Sequence, residues 1–333
     1  MRTFYNLPEA TKARIFEQIS ARTPLPAYAV EKDWWVVQTL RIVFSMEAGK
    51  HLIFKGGTSL SKAWNLIDRF SEDIDLALDK SILGIEQVKT VKQIKILRNT
   101  SKRFITSEFH PSLIEAFISK GLKETEIRIL EQAENDPLSI EIYYPYTTKY
   151  PGYVQPRVLI EIGSRSLKEP FAERIITSFI TEKFPDQDFA DEPVLITAAT
   201  PERTFLEKIF LLQEEYQKEE IRINRLTRHL YDLEKIMDTP HGSNALQDHE
   251  LYQTIVKHRK LLFSVSEVDY NLHQPQTINL VPPDTVLKEW QKDYVELGES
   301  MIYGDKLPWK VLLSRIKELT DRINKLDFTI EIE

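Results

Sequence analysis

The chain has no cysteine in 333 residues, which removes disulfides, thiolate nucleophiles, cysteine-ligated zinc and iron–sulfur clusters together. Its seven histidines show no H-E-x-x-H or comparable ligand spacing, so a histidine zinc site is not expected either. Long apolar runs are missing as well. The most apolar stretch, Trp34 to Phe44, is broken by Gln38 and Arg41, and the opening MRTFYNLPEATKARIFEQ lacks the apolar core of a secretion signal. The expectation is a soluble protein of the reducing cytoplasm, without a membrane partner. Positive charge is in deficit, with 44 Lys and Arg against 51 Asp and Glu. That balance argues against a generalist nucleic-acid binder held by phosphate contacts alone, but leaves room for a local basic patch. What is abundant is core material: 42% hydrophobic residues over this length are enough for roughly two domains.

Glycine is scarce, ten in all, yet Gly56 and Gly57 are adjacent and mark a special turn. Before it, Pro8 to Ile19 and Val30 to Met46 have helical spacing. After it, a short helix over 59–66 and a strand over 74–78 are expected. Residues 85–132 read as two or three helices. Alternation predicts strands over 139–144 and 158–162, joined through Pro145, Pro151, Gly152 and Pro156, and a further short strand at 194–196. Thr200 as N-cap and Pro201 as first helical residue open a helix to about Lys218, followed by helices over 221–237, 250–265 and 309–325. A boundary is therefore placed between a core, residues 1–199, and a helical domain, residues 200–333.

The chemistry concentrates in Lys55-Gly56-Gly57-Thr58-Ser59-Leu60 and Arg69-Phe70-Ser71-Glu72-Asp73-Ile74-Asp75-Leu76. In a strand, residues two apart share a face, so Asp73 and Asp75 point the same way while Ile74 and Leu76 enter the core. Two carboxylates in one small volume raise each other's pKa unless a cation lies between them, and hard oxygens suit Mg²⁺ or Mn²⁺. A turn without Cβ atoms lets backbone N–H groups approach a phosphate. The following helix offers its positive end, and Thr58 and Ser59 offer hydroxyls. Acids for a metal beside an anion-binding turn are what nucleotidyl transfer needs. A third carboxylate belongs on a neighbouring strand. Glu161 stands opposite Val158, Ile160 and Ile162 in an apolar strand and is favoured over Glu141, which lies between Ile140 and Ile142.

Together with T-P-E-R-T-F-L-E-K from Thr200, R-H-L-Y-D-L from Arg228, and Glu31-Lys32-Asp33-Trp34-Trp35, these segments resemble the AbiEii/AbiGii family of nucleotidyltransferase toxins over roughly residues 25–240. The resemblance implies an α+β fold, with a polymerase-β-like nucleotidyltransferase core built on a small mixed sheet and a helical C-terminal domain. It implies the toxin of a toxin–antitoxin or phage-defence pair with a cognate antitoxin. Such a toxin would use an NTP as substrate and an RNA, such as a tRNA 3′ end, or a protein as acceptor. On this sequence it assigns Lys55, Gly56, Gly57, Thr58, Ser59 and Lys208 to the nucleotide and Asp73, Asp75 and Glu161 to metal. Lys208 and Asp232 join those three acids in catalysis. The chain departs from the superfamily's Gly-Ser turn, having Gly-Gly, and carries His229 where many relatives have Asp.

Spacing alone makes Arg228 and Asp232 an i,i+4 ion pair. Six cations without an acid, Lys89, Lys92, Lys95, Arg98, Lys102 and Arg103, form the best candidate for an RNA backbone contact. Trp34, Trp35, Tyr143, Tyr144 and Tyr146 could stack a base or pack a core. Two other functions compete: a D-x-D glycosyltransferase, against which stands the absence of a βαβ run before Asp73, and an NTP-binding or protein-interaction module without transfer.

Overall fold

Period-two alternation between apolar and polar residues builds the centre of the protein. In β5 (Arg157–Gly163), Val158, Ile160 and Ile162 are buried while the residues between them are half-buried, and β2 (Asp73–Leu78) buries Ile74 and Leu76 in the same way. The computed structural model describes residues 4–71, 73–130, 136–151 and 154–332. Glu72, Gly152 and the end of the stretch read as 85–132 lie outside them.

Among the described residues the sheet has seven strands. β1 (Leu52–Lys55), β2, β3 (Glu126–Ile129), β4 (Leu138–Tyr143), β5, β6 (Phe171–Ile176) and β7 (Val194–Ala199) lie in the order β3-β4-β5-β2-β1-β7-β6. β1 with β7 and β2 with β5 pair parallel and the other neighbours antiparallel, so the sheet is mixed and the fold α+β. It is larger than the small sheet expected, because three strands are weakly marked in the sequence. β1 is only four residues long and continues an apolar stretch. β3 and β6 are edge strands: β3, inside the stretch read as helical, exposes Glu126 and Arg128, and β6 exposes Glu173 between Phe171 and Ile175.

Two compact units divide the chain. The first comprises the residues up to Trp64 and again Phe70–Ala199, and the second takes Asn65–Arg69 and everything from Thr200 onward. The first unit holds the whole sheet with α1 (Glu9–Ser20), α2 (Ala27–Ser45), α3 (Gly56–Lys62), α4 (Val91–Phe104), α5 (His110–Ser119) and α6 (Phe179–Lys183). The E-K-D-W-W segment at the start of α2 is a set of staples. Glu31 accepts from the backbone N–H groups of Thr147 and Thr148, Asp33 pairs with Lys62 at 2.8 Å, and Trp34 donates to Asp191. Trp35 stacks on Tyr144 with ring centroids 4.7 Å apart, so these aromatics are core. Among the described residues no helix is long and apolar enough to cross a membrane.

The second unit is helical: α7 (Pro201–Glu215), α8 (Thr227–Met237), α9 (Pro240–Gln247), α10 (His249–Leu262), α11 (Leu287–Ser300) and α12 (Trp309–Asn324). Thr200 caps α7 by accepting from the Arg203 N–H, and Pro201 is its first residue. The helix read as 221–237 begins at Thr227, where the backbone N–H and the hydroxyl both bond Asp293. α7 and α10 are tied by a bidentate pair, Arg259 donating to both oxygens of Glu214 at 2.6 Å. Burial alone would push the Glu214 carboxyl up, but the Arg259 hydrogen bonds and charge, with a contribution from His273, bring it down to about 2. A carboxylate lowered from an ordinary 4.5 contributes stability above pH 4.5 and loses it between pH 4.5 and about 2. Glu214→Gln is therefore expected to cost about 3 kcal/mol at pH 7 and to flatten the acid limb of the stability curve, measured by urea unfolding across pH 2–7.

Candidate active site

At the end of β1 the chain turns directly into α3, and the junction is Gly56, whose φ of +77° suits a residue without a side chain. A Cβ at Gly56 would lie 2.1 Å from Asp75 Oδ2, so the carboxylate occupies the space an ordinary residue would fill. This close approach follows from register. Lys55 stands opposite Asp75 across the β1–β2 ladder, and Asp75 opposite Glu161 across β2–β5. Lys55, Asp75 and Glu161 thus form a row across three strands, with Asp73 two residues back on the same face of β2. The opposite face is sealed by Ile74, Leu76, Ile160 and Ile162, all at most 1% exposed.

The electrostatics of this row are unbalanced. The Glu161 carboxyl is pushed up to about 7, first by burial, then by the charges of Asp75 and Asp73 and a hydrogen bond with Asp75; the Lys55 charge pulls the other way but does not restore it. Glu141 is different. Arg157 Nε lies 3.1 Å from one of its oxygens and Tyr143 Oη donates to the other at 3.3 Å, so it is satisfied locally. The two candidates that the sequence leaves open therefore differ in kind: Glu161 lacks a matching cation, and Glu141 has one.

Thr58 and Ser59 are turned inward. The Thr58 hydroxyl bonds the carbonyl of Asp73 and lies 2.8 Å from Ser71 Oγ, which ties the first turn of α3 to the start of β2. Ser59 Oγ is buried with no hydrogen-bond partner among the described residues. The hydroxyls suggested as phosphate donors thus face protein, and Thr58 helps to hold Asp73.

A divalent cation suits the donor set. The oxygens are hard, their charge is not matched by the nearby lysine, and the glycine leaves Asp75 Oδ2 unobstructed by a side chain. Among the described residues no group of three or more His, Cys, Asp or Glu is placed so that it could hold a metal ion.

The second unit contains a separate buried cluster. Asp232 on α8 accepts two bonds from Arg69, Nε at 2.6 Å and Nη2 at 2.8 Å, and pairs with Lys208 on α7 at 2.9 Å. Its carboxylate is thus engaged by Arg69 and Lys208, partners that spacing along α8 does not reveal. The reason is burial: α8 turns Asp232 inward, 0% exposed, where long-range partners reach it. Lys208 Nζ also lies 3.3 Å from His229 Nδ1. Burial, and next the Lys208 charge, hold His229 well below its ordinary pKa, so the ring is neutral and accepts from the ammonium. Burial also lowers the Lys208 pKa, against the pull of Asp232. Burial would raise the Asp232 carboxyl, but Arg69 and Lys208 hold it far down. Arg69 opens the second of the two chemistry-bearing segments of the sequence, where the spacing gives it no role. It reaches this cluster because Asp68 and Arg69 pair with Ile302, Tyr303 and Gly304, the latter two N–H groups donating to the Asp68 carbonyl at 3.0 and 3.1 Å.

A mixed sheet presenting acids beside a glycine junction, with a helical second unit, has the architecture of nucleotidyltransferase toxins. The fold is similar to that of MenT4, a nucleotidyltransferase toxin from Mycobacterium tuberculosis H37Rv, with a TM-score of 0.55 at 14% identity over 96% of this chain and 91% of that one. The chain belongs to the AbiEii family: the family model "Nucleotidyl transferase AbiEii toxin, Type IV TA system" matches residues 41–318. No curated protein matches the sequence.

Two outcomes follow from this geometry. A carboxyl raised from 4.5 to about 7 adds stability below pH 4.5 that disappears as pH rises through 7. Glu161→Gln is thus expected to raise Tm by a few degrees at pH 8 in the presence of a chelator and to leave it nearly unchanged at pH 5; a lower Tm at pH 8 would show that the negative charge is compensated. Asp232→Asn leaves Arg69 and Lys208 buried without their anion, and should cost about 3–5 kcal/mol in a denaturant titration.

Proposed function

We propose that the protein transfers an NMP group from an NTP to a hydroxyl of an RNA or protein acceptor, releasing pyrophosphate, as the toxin partner of a cognate antitoxin. The observation that carries this reading is the register of Asp75 against Glu161 beside Gly56, which concentrates negative charge in a half-buried place and leaves it unmatched. Membership of a nucleotidyltransferase family supports the reaction class.

Asp73, Asp75 and Glu161 would hold Mg²⁺ or Mn²⁺, with water and phosphate oxygens completing the shell. Bound there, the ion supplies charge for the triphosphate and acidity for the attacking hydroxyl. The backbone at Gly56 and Gly57 admits phosphate oxygens closely, and Lys55 adds positive charge at the edge of the row. Thr58 keeps Asp73 in place from within. The acceptor oxygen attacks the α-phosphorus, the bond from that phosphorus to the bridging oxygen breaks, and pyrophosphate leaves with the electron pair. Glu161 would ligate the metal ion or help activate the acceptor by taking the hydroxyl proton. Lys208 and Asp232 enter the proposal through the family motifs. Their cluster, Arg69 and Lys208 against one carboxylate and a neutral His229, has surplus positive charge and so complements an anionic group.

Incubation with each labelled NTP, Mg²⁺ and total cellular RNA or protein tests the reaction. Labelled polymer and pyrophosphate are expected from the native chain. Asp75→Asn should reduce transfer by at least about a thousandfold with a Tm no lower than that of the native chain, since it removes a group that acts on the transition state. Nucleotide binding without pyrophosphate release on any acceptor would support a binding module instead.

A further inference from the structure

We infer that the exposed face of α4 is a binding surface for the phosphodiester backbone of a single-stranded RNA segment, an inference resting on the reading that the acceptor is a polymer. α4 is fixed at its start by a capping box, Thr90 accepting from the Gln93 N–H and the Gln93 side chain accepting from the Thr90 N–H. The helix therefore holds its side chains in register. At 100° per residue, Lys92, Lys95, Lys102 and Arg103 fall within about one third of a turn, with Asn99 at the middle of the arc. All five are exposed, as is Lys89 just before the cap. Leu97 and Ser101, on the opposite side, are buried.

No acidic residue occurs between Glu86 and Glu108, and among the described residues none forms an ion pair with Lys92, Lys95 or Arg103. Like charges three and four residues apart on a helix repel, and surface helices ordinarily intersperse acids to relieve this. Between Lys92 and Lys95 no acid relieves it, and the row is local and opposite in sign to a chain of net charge −7.

The partner is chosen by composition. Four of the five exposed cations are lysines, a residue depleted at protein–protein interfaces and common at phosphate contacts, and no contiguous apolar centre accompanies them. The last cation also borders a recess. Arg103 lines a cavity of about 340 Å³ with Phe104, Phe109, Met46 and Leu83, together with the acids Glu47 and Glu108, which disfavour a phosphate inside the recess. A cationic row leading to a partly apolar recess with an aromatic edge is the combination by which proteins track a single strand and accommodate an unstacked base.

The test is fluorescence anisotropy of a labelled 20-nucleotide poly(U) RNA with the full chain, without NTP, so that it does not depend on transfer. The native protein should bind with a log–log salt slope near −3, as roughly four phosphate contacts require. Lys92→Gln/Lys95→Gln/Lys102→Gln/Arg103→Gln should weaken binding at least tenfold at 100 mM salt and flatten the slope toward zero, with circular dichroism and Tm unchanged. A control changing net charge equally, Lys288→Gln/Lys292→Gln/Lys310→Gln/Lys317→Gln at exposed positions of α11 and α12, should bind as the native chain does. Equal losses in both variants would reduce the effect to net charge and overturn the proposal. So would undiminished RNA binding in the α4 variant, or an α4 variant impaired only in binding the antitoxin protein. If RNA binding follows the expected pattern while labelled NTPs give no transfer, the transferase reading fails and the surface stands.

Discussion

The repulsion between Asp75 and Glu161 is the constraint around which the first unit is organised. Their strands are parallel neighbours and the two residues are register partners, so neither side chain moves away from the other without breaking a ladder. The apolar residues on the other face make a slip costly, because shifting either strand by one position would bring Ile74, Leu76, Ile160 or Ile162 to the wrong side. Hydrophobic burial thus holds two acids together that electrostatics would separate. Glu161 registers the conflict as a carboxyl pushed up to about 7. Gly56 sharpens it by letting the backbone approach Asp75 where any side chain would collide with Oδ2.

The cluster in the second unit has the reverse balance. Asp232 has two cationic partners, and the neighbouring His229 is kept neutral by burial and by the Lys208 charge. A protein that only needed to tie α7 to α8 could do so with apolar contacts at no desolvation cost. Retaining a buried lysine beside a guanidinium is expensive, and the expense is easier to account for if an anion is to be met there. Deficit in one cluster and surplus in the other are each weak signs of function alone, since structural ion networks also shift pKa values. Their occurrence on the residues that carry the family motifs gives them weight.

The acid site was legible in the sequence to the extent that it depends on period-two alternation: Asp73, Asp75 and Glu161 share a face, and their apolar neighbours identify that face. Three things were not legible. β1, four residues long, offers too little alternation to be told from the apolar stretch before it, so its pairing with β2 through Lys55 was invisible. The inward turn of Thr58 depends on where the Asp73 carbonyl lies, which is a tertiary fact. The recruitment of Arg69 by Asp232 spans 163 residues, and no local spacing rule reaches that far. Glu141 and Glu161 could be separated only when Arg157 was seen beside one of them.

Fold likeness and charge together constrain how such a protein meets a polymer. A TM-score of 0.55 at 14% identity establishes shared architecture and leaves surfaces free to differ. A chain of net charge −7 repels a polyanion at long range. At physiological salt that repulsion is screened beyond about 8 Å, whereas cations on a rigid helix act within that distance. The acidic remainder therefore selects against distant, nonspecific capture, and only a strand brought close to the basic face gains from it. Low general affinity with a local site is the electrostatic arrangement expected where indiscriminate binding to cellular RNA would compete with the intended acceptor.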